Sequence, residues 1–217
     1  TFTTELDSLG AQAERRDHLA MLATELEAWG DRTDATRWFQ VLDRVRRSEW
    51  AIDTTSDRLV DAVADGLFKL IAYKDEYEVA RLMVEPEGLA EAQELVAEGG
   101  TMSYRLHPPM LRALGLDKKI SIPATAAPAL GTLARGKRLR GSFLDPFRWA
   151  EVRKVERKLA NEYIATIDRA LAKLSAQNFD RVVELAETPD LVRGYEDIKL
   201  ANVEHYRIRV AELLAEL

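Results

Sequence analysis

Residues 57–82 constrain this chain more than any other stretch. At about 100° per residue, Leu59, Val63, Leu67, Leu70, Ile71 and Tyr77 fall on one helical face, and a stripe of that kind must be buried. The helix opens near a cap cluster of Thr54, Thr55, Ser56 and Asp57 and is expected to run through LFKLIAYKDEYEVARL, residues 67–82. Lys74 and Arg81 lie on the same face, with Glu78 one turn from each. Charges on a buried stripe are expensive unless paired, so Lys74, Glu78 and Arg81 are expected to form a partly buried ionic cluster. Such a cluster either fixes helix register or contacts a ligand or neighbour.

The rest of the chain follows the same period. A first helix is expected over residues 4–29, with Leu19, Leu22, Leu26 and Trp29 inward and Gly30 as its stop. A second, capped by Asp34, runs to about Arg47 with Trp38, Val41, Leu42 and Val45 on its apolar side. Pro86 opens a helix over 86–98 that Gly99-Gly100 ends. Residues 101–106 alternate polar and apolar and read as a short strand, with Ile120 and Ile122 as its partner. Residues 123–134 are ambiguous because of Pro128. Asp145-Pro146 signals a helix to about Leu174, followed by helices over 176–187 and from Tyr195 to Leu217. The expected architecture is mainly α and bundle-like, with at most a small hairpin around 101–122. Residues 1–50 are expected to be a helical lead-in to a domain over 51–217.

Composition narrows the chemistry. The chain has 217 residues, no cysteine and a net charge of −6. Disulfides, a thiol nucleophile and Cys-ligated zinc or iron–sulfur centres are therefore excluded from it. No apolar run reaches the length of a membrane span and no secretory leader is legible, so a cytoplasmic location is expected. Starting at Thr1 rather than Met, the chain reads as a piece of a longer protein.

Three motifs bear on function. Residues 131–138 match phosphate-loop spacing except at the last position, where magnesium needs Ser or Thr and Arg138 stands instead; this is a chance match. The three histidines have no metal-ligand spacing, and His107, beside Tyr104, Arg105, Pro108 and Pro109, is the most notable. Between Arg135 and Lys158, nine basic residues face three acidic ones, with Phe143, Phe147 and Trp149 interleaved. Arg138, Arg140, Arg153, Lys154, Arg157 and Lys158 are the candidates there for binding an acidic partner, a phosphorylated cofactor or nucleic acid. A solvated helix face balanced by acidic neighbours is the simpler account.

Four blocks together carry a resemblance: LFKLIAYKDEYEVARL (67–82), YRLHPPML (104–111), RLRGSFLDPF (138–147) continuing into ERKLANEY (156–163), and LVRGYEDIKLAN (191–202). In this order they resemble the C-terminal helical region of the indolepyruvate ferredoxin oxidoreductases, in the 2-oxoacid:ferredoxin oxidoreductase group, over most of residues 57–217. The family pattern has Gly after DPF and Gly-His after RGY, where this chain carries Arg148 and Glu196-Asp197. The resemblance implies an enzyme that oxidatively decarboxylates an aryl 2-oxoacid with coenzyme A, giving an acyl-CoA, carbon dioxide and reduced ferredoxin. It implies thiamine diphosphate, magnesium and iron–sulfur clusters elsewhere in the assembly, with no catalytic, cofactor or metal residue in this chain. Such cofactors carry the hard chemistry while protein supplies position and electrostatics. The implied role is an oligomeric accessory domain or subunit for assembly, substrate access or ferredoxin docking. A free-standing helical protein, or a nucleic-acid-binding regulator using residues 135–158, is the alternative.

Overall fold

Breaks in the expected helices determine how the polar side chains are placed. The computed structural model describes residues 2–86, 90, 103–106 and 120–217, and among these nine α-helices and one pair of short strands make the fold mainly α. By contact density the chain forms two units. One comprises residues up to Ala72 together with Val155–Leu217, and the other Tyr73–Lys154. Residues 1–50, the expected lead-in, belong to the first unit.

In the first unit, the helix expected over 4–29 is two helices, α1 (Thr3–Ser8) and α2 (Ala13–Trp29). Gly10 at φ +64° turns the chain between them, in the left-handed region that glycine enters without a Cβ penalty. Helix α3 (Arg32–Trp50) is capped by Asp31 rather than Asp34. The Asp31 carboxylate accepts from the Thr33 amide at 2.6 Å, and Asp34 accepts from the Asp31 amide at 3.2 Å. That reciprocal box satisfies two amides that the first turn leaves without helical partners.

Helix α4 (Arg58–Ile71) buries Leu59, Val63, Leu67, Leu70 and Ile71, as the stripe requires. Its first turn is capped from a neighbour: Glu49, buried on α3, accepts from the amides of Leu59 at 2.9 Å and Val60 at 3.0 Å. A carboxylate at a helix N-terminus also meets the positive end of the macrodipole. Trp38, fully buried, donates its indole N–H to the Ala64 carbonyl at 3.0 Å, tying α3 to α4.

On its other side α4 meets α8 (Phe179–Glu187) and the 3-10 turn Thr188–Leu191 that follows it. Gly66 makes that approach possible. A Cβ there would lie 2.9 Å from the Tyr163 hydroxyl and 3.0 Å from the Ala186 carbonyl oxygen. The Tyr163 hydroxyl donates to that same carbonyl at 2.7 Å, so a buried polar atom keeps its hydrogen bond inside the core. Tyr163 comes from α7 (Glu151–Leu171), and α9 (Glu196–Ala215) completes the unit by burying Val203, Tyr206 and Leu213.

In the second unit, α5 (Glu76–Met83) is a separate helix and not the end of α4. The chain leaves helical geometry at Ala72 (φ −83°, ψ 48°) and restarts from Asp75, whose carboxylate accepts from the Glu78 amide at 2.8 Å. Strands β1 (Ser103–Leu106) and β2 (Ile120–Pro123) pair antiparallel, with Tyr104 opposite Ile122. Helix α6 (Ala127–Arg135) takes Pro128 in its first turn, where a missing amide matters least. Ala80 and Leu130 join α5 to α6, with Met83, Val84, Ala127, Leu133 and Ala134 around them. The helix expected over 86–98 lies almost wholly outside the described residues. No helix of the described residues is long and apolar enough to cross a membrane.

The Asp145-Pro146 signal does not start a helix. Residues 146–150 are turns and bends, and α7 begins at Glu151 and ends at Leu171, short of Leu174. Asp145 is engaged instead by groups far away in sequence.

Candidate docking surface and its ionic scaffold

The first turn of α5 carries three buried acids, Asp75, Glu76 and Glu78. Each meets an arginine through two nitrogens. Arg140 donates Nε to Asp75 Oδ2 at 2.5 Å and Nη2 to Oδ1 at 3.1 Å. Arg153 donates Nε and Nη2 to the two oxygens of Glu76 at 3.2 and 3.1 Å. Arg81 forks onto Glu78 at 3.0 and 2.8 Å and reaches Glu85 at 3.1 Å. The planar guanidinium suits this two-point grip, which fixes direction as well as charge. Asp145 is the fourth buried acid. It accepts from the Tyr77 hydroxyl at 3.0 Å, the Phe147 amide at 3.0 Å and the Gly141 amide at 2.7 Å.

Burial raises the Glu76 carboxyl above its ordinary value, with Arg153 pulling the other way. Burial also pushes the Tyr77 hydroxyl well up, aided by its hydrogen bond to Asp145 and that group's negative charge, so it stays a donor. Lys137 is lowered by burial and then by the nearby charges of Arg140 and Arg81. Tyr77 packs edge-on to Phe147 at 5.4 Å, and Gly136 lies against its ring, where a Cβ would approach to 2.9 Å. The result is a rigid base made from two distant blocks, 75–81 and 136–153.

This base presents a short apolar surface. Asp145 and Phe147 point inward, while Phe143 is 81% exposed and Trp149 69% exposed, with Leu139 and Leu144 also outward. Arg148 lies over the Trp149 ring at 4.6 Å, and Arg138 is exposed beside the segment. Aromatic side chains displayed in this way on a braced loop suit recognition, because little side-chain entropy is lost on binding.

The expected site residues are distributed as follows. Glu78 and Arg81 pair as expected, but Lys74 is exposed in the connector between α4 and α5 and is not on their shared face. The helical period puts it there only if the helix continues through Ala72, where α4 ends. Arg140 and Arg153 belong to the ionic base, and Lys154 pairs with Glu151 at 3.1 Å. Arg157 and Lys158 fall in the first unit, whereas Arg138, Arg140, Arg153 and Lys154 fall in the second. His107 lies outside the described residues. Residues 131–135 of the phosphate-loop match are helical and 136–139 form a 3-10 turn, so no loop cradles an anion there. Asp75, Glu76 and Asp145 were missed as site residues, although the Asp145-Pro146 pair was a visible signal that something is capped there.

In the first unit, a cleft of about 900 Å³ is lined by Arg58, Asp61, Asp65, Lys69, Glu187 and Asp190 around Gly66. Its charges are held at the rim by Arg58–Asp180 at 2.7 Å, Lys69–Asp190 at 2.9 Å, His18–Asp65 at 2.7 Å and Arg15–Asp61 at 2.7 Å. Among the described residues no three His, Asp or Glu side chains converge on a metal-sized site. The chain has no cysteine and so offers no thiolate to an iron–sulfur cluster.

A family model described as a family of unknown function, DUF6537, matches residues 15–212, and the chain belongs to that family. No curated protein and no solved structure matches it.

Proposed function

We propose that this DUF6537 member is a non-catalytic accessory domain or subunit of an indolepyruvate/2-oxoacid:ferredoxin oxidoreductase, and that its work is packing against the catalytic part. The observation carrying this reading is the exposed Leu139–Trp149 segment braced by Asp145, Tyr77 and Arg140. Two of the four blocks that carry the resemblance, 67–82 and 138–147, contribute Asp75, Tyr77, Arg140 and Asp145 to this base. Arg140 and Arg153 were candidates for gripping ferredoxin or coenzyme A. Each holds a buried carboxylate, so the apolar segment is the better docking surface than the basic one.

The protein's contribution to the reaction is then positional. It would shape substrate access or hold the oligomer, while cofactors elsewhere supply the decarboxylation and electron transfer. The test is the double variant Phe143→Ser/Trp149→Ser in the whole oxidoreductase. Association with the catalytic part should weaken about tenfold or more, as expected for buried aromatic anchors. The unfolding midpoint of the chain alone should hardly move, because both side chains are exposed. Unchanged assembly and turnover would remove the reading.

A further inference from the structure

Between Arg135 and Ala150 the only carboxylate is Asp145, and it is turned inward, with the Tyr77 hydroxyl and two amides on its oxygens. The chain around it is a run of linked turns. The amides of Arg140, Ser142, Asp145, Arg148 and Ala150 each donate to the carbonyl three residues back, at 2.9–3.3 Å. Turns closed in this way keep the stretch compact, with Leu139, Phe143, Leu144 and Trp149 outward.

The charges that this stretch exposes are of one sign. Arg135 and Arg138 are exposed, and neither side chain has an ion pair or hydrogen bond among the described residues. Arg140 and Arg153, by contrast, are engaged with Asp75 and Glu76. Lys137, half-buried, has its ammonium form disfavoured first by burial and then by the charges of Arg140, Arg81 and Arg138, against that of Glu78. The buried acids therefore leave positive potential at this surface.

An apolar centre with cationic neighbours is complementary to an apolar pocket with an anionic rim. Two unpaired arginines fall short of the roughly four to eight basic residues that mark attachment to anionic lipid, so a protein is the better fit. We infer that Phe143 and Trp149 enter an apolar pocket of the catalytic part whose rim carries Asp or Glu side chains facing Arg135 and Arg138. The inference rests on the docking role proposed for this segment and adds the chemistry of the partner. Rim charges govern association rate and its salt dependence, whereas buried anchors govern dissociation.

The test is association of the full 217-residue chain with the catalytic part of the oxidoreductase at rising sodium chloride. Arg135→Glu/Arg138→Glu should slow association about tenfold at about 50 mM salt and less than about twofold at about 0.5 M, where charges are screened within a few Å. Its unfolding midpoint should stay at the wild-type value, because both side chains are exposed. Arg135→Lys/Arg138→Lys should associate as the wild type does, and a zero-length carbodiimide should then couple position 135 or 138 to a carboxylate of the catalytic part. Equal association of charge-reversed and wild-type chains at low salt, with Phe143→Ser/Trp149→Ser still defective, overturns the acidic rim and leaves the docking role standing. Normal association of the aromatic variant as well removes both. Binding of the chain to phosphatidylglycerol vesicles, lost in the aromatic variant, assigns the segment to a lipid surface and also overturns the inference.

Discussion

Arg153 and Glu76 show how much of the second unit rests on single pairs. Both side chains are nearly buried, 11% and 5% exposed, and each satisfies the other. Arg153→Met should therefore cost about 3–5 kcal/mol in denaturant unfolding, since it leaves Glu76 buried without its counter-charge. Glu76→Leu/Arg153→Met should recover most of that loss, and a double variant as unstable as the single would show that the pair is not the cause. The pH dependence has a definite sign. The folded pKa of Glu76 lies above its ordinary 4.5, so the folded state binds this proton more tightly. Glu76 thus favours the fold at low pH, and that contribution is lost as pH rises through its folded pKa. Relative to Glu76→Gln, the wild type should lose stability from pH 4.5 upward; a relative gain would mean that Arg153, and not burial, dominates. None of this pairing was legible in the sequence, because Arg140 and Arg153 lie 65 and 77 residues beyond their partners. Local spacing instead nominated Lys74, which the break after Ile71 leaves in solvent.

Among the elements, α4 was the most legible and also the most misleading. Its stripe from Leu59 to Ile71 is buried as the period demands. Its end is not legible from the period, because Asp75 fits a helix interior by spacing, whereas it caps α5. The same substitution of roles moved the cap of α3 from Asp34 to Asp31 and the start of α7 from Pro146 to Glu151. Side-chain oxygens that could cap are common, and which one does so is decided by tertiary partners. Gly66 carried no local signal at all, since its role is set by Tyr163 and Ala186 far along the chain. Gly66→Ala should destabilise the first unit by about 1–3 kcal/mol, because the Ala186 carbonyl is backbone and cannot move aside. Thermal unfolding would show this directly, and a rise in midpoint, as expected where alanine simply adds helix propensity, would contradict the close crossing.

At the scale of the whole molecule, the mainly α fold and the short strand pair were legible from periodicity, while the division into two units was not. The second unit is an excursion between α4 and α7, and only non-local contacts reveal it. Its ionic base holds an exposed aromatic segment outward, and the role proposed for that segment is packing against something larger. The most direct measurement is isolation of the native protein from its source without oxygen, with intact mass, thiamine diphosphate content and a visible spectrum. The account expects these residues within a longer chain or a complex that contains thiamine diphosphate and absorbs with the brown colour of iron–sulfur clusters. A colourless protein of 24.5 kDa with no partner would contradict it.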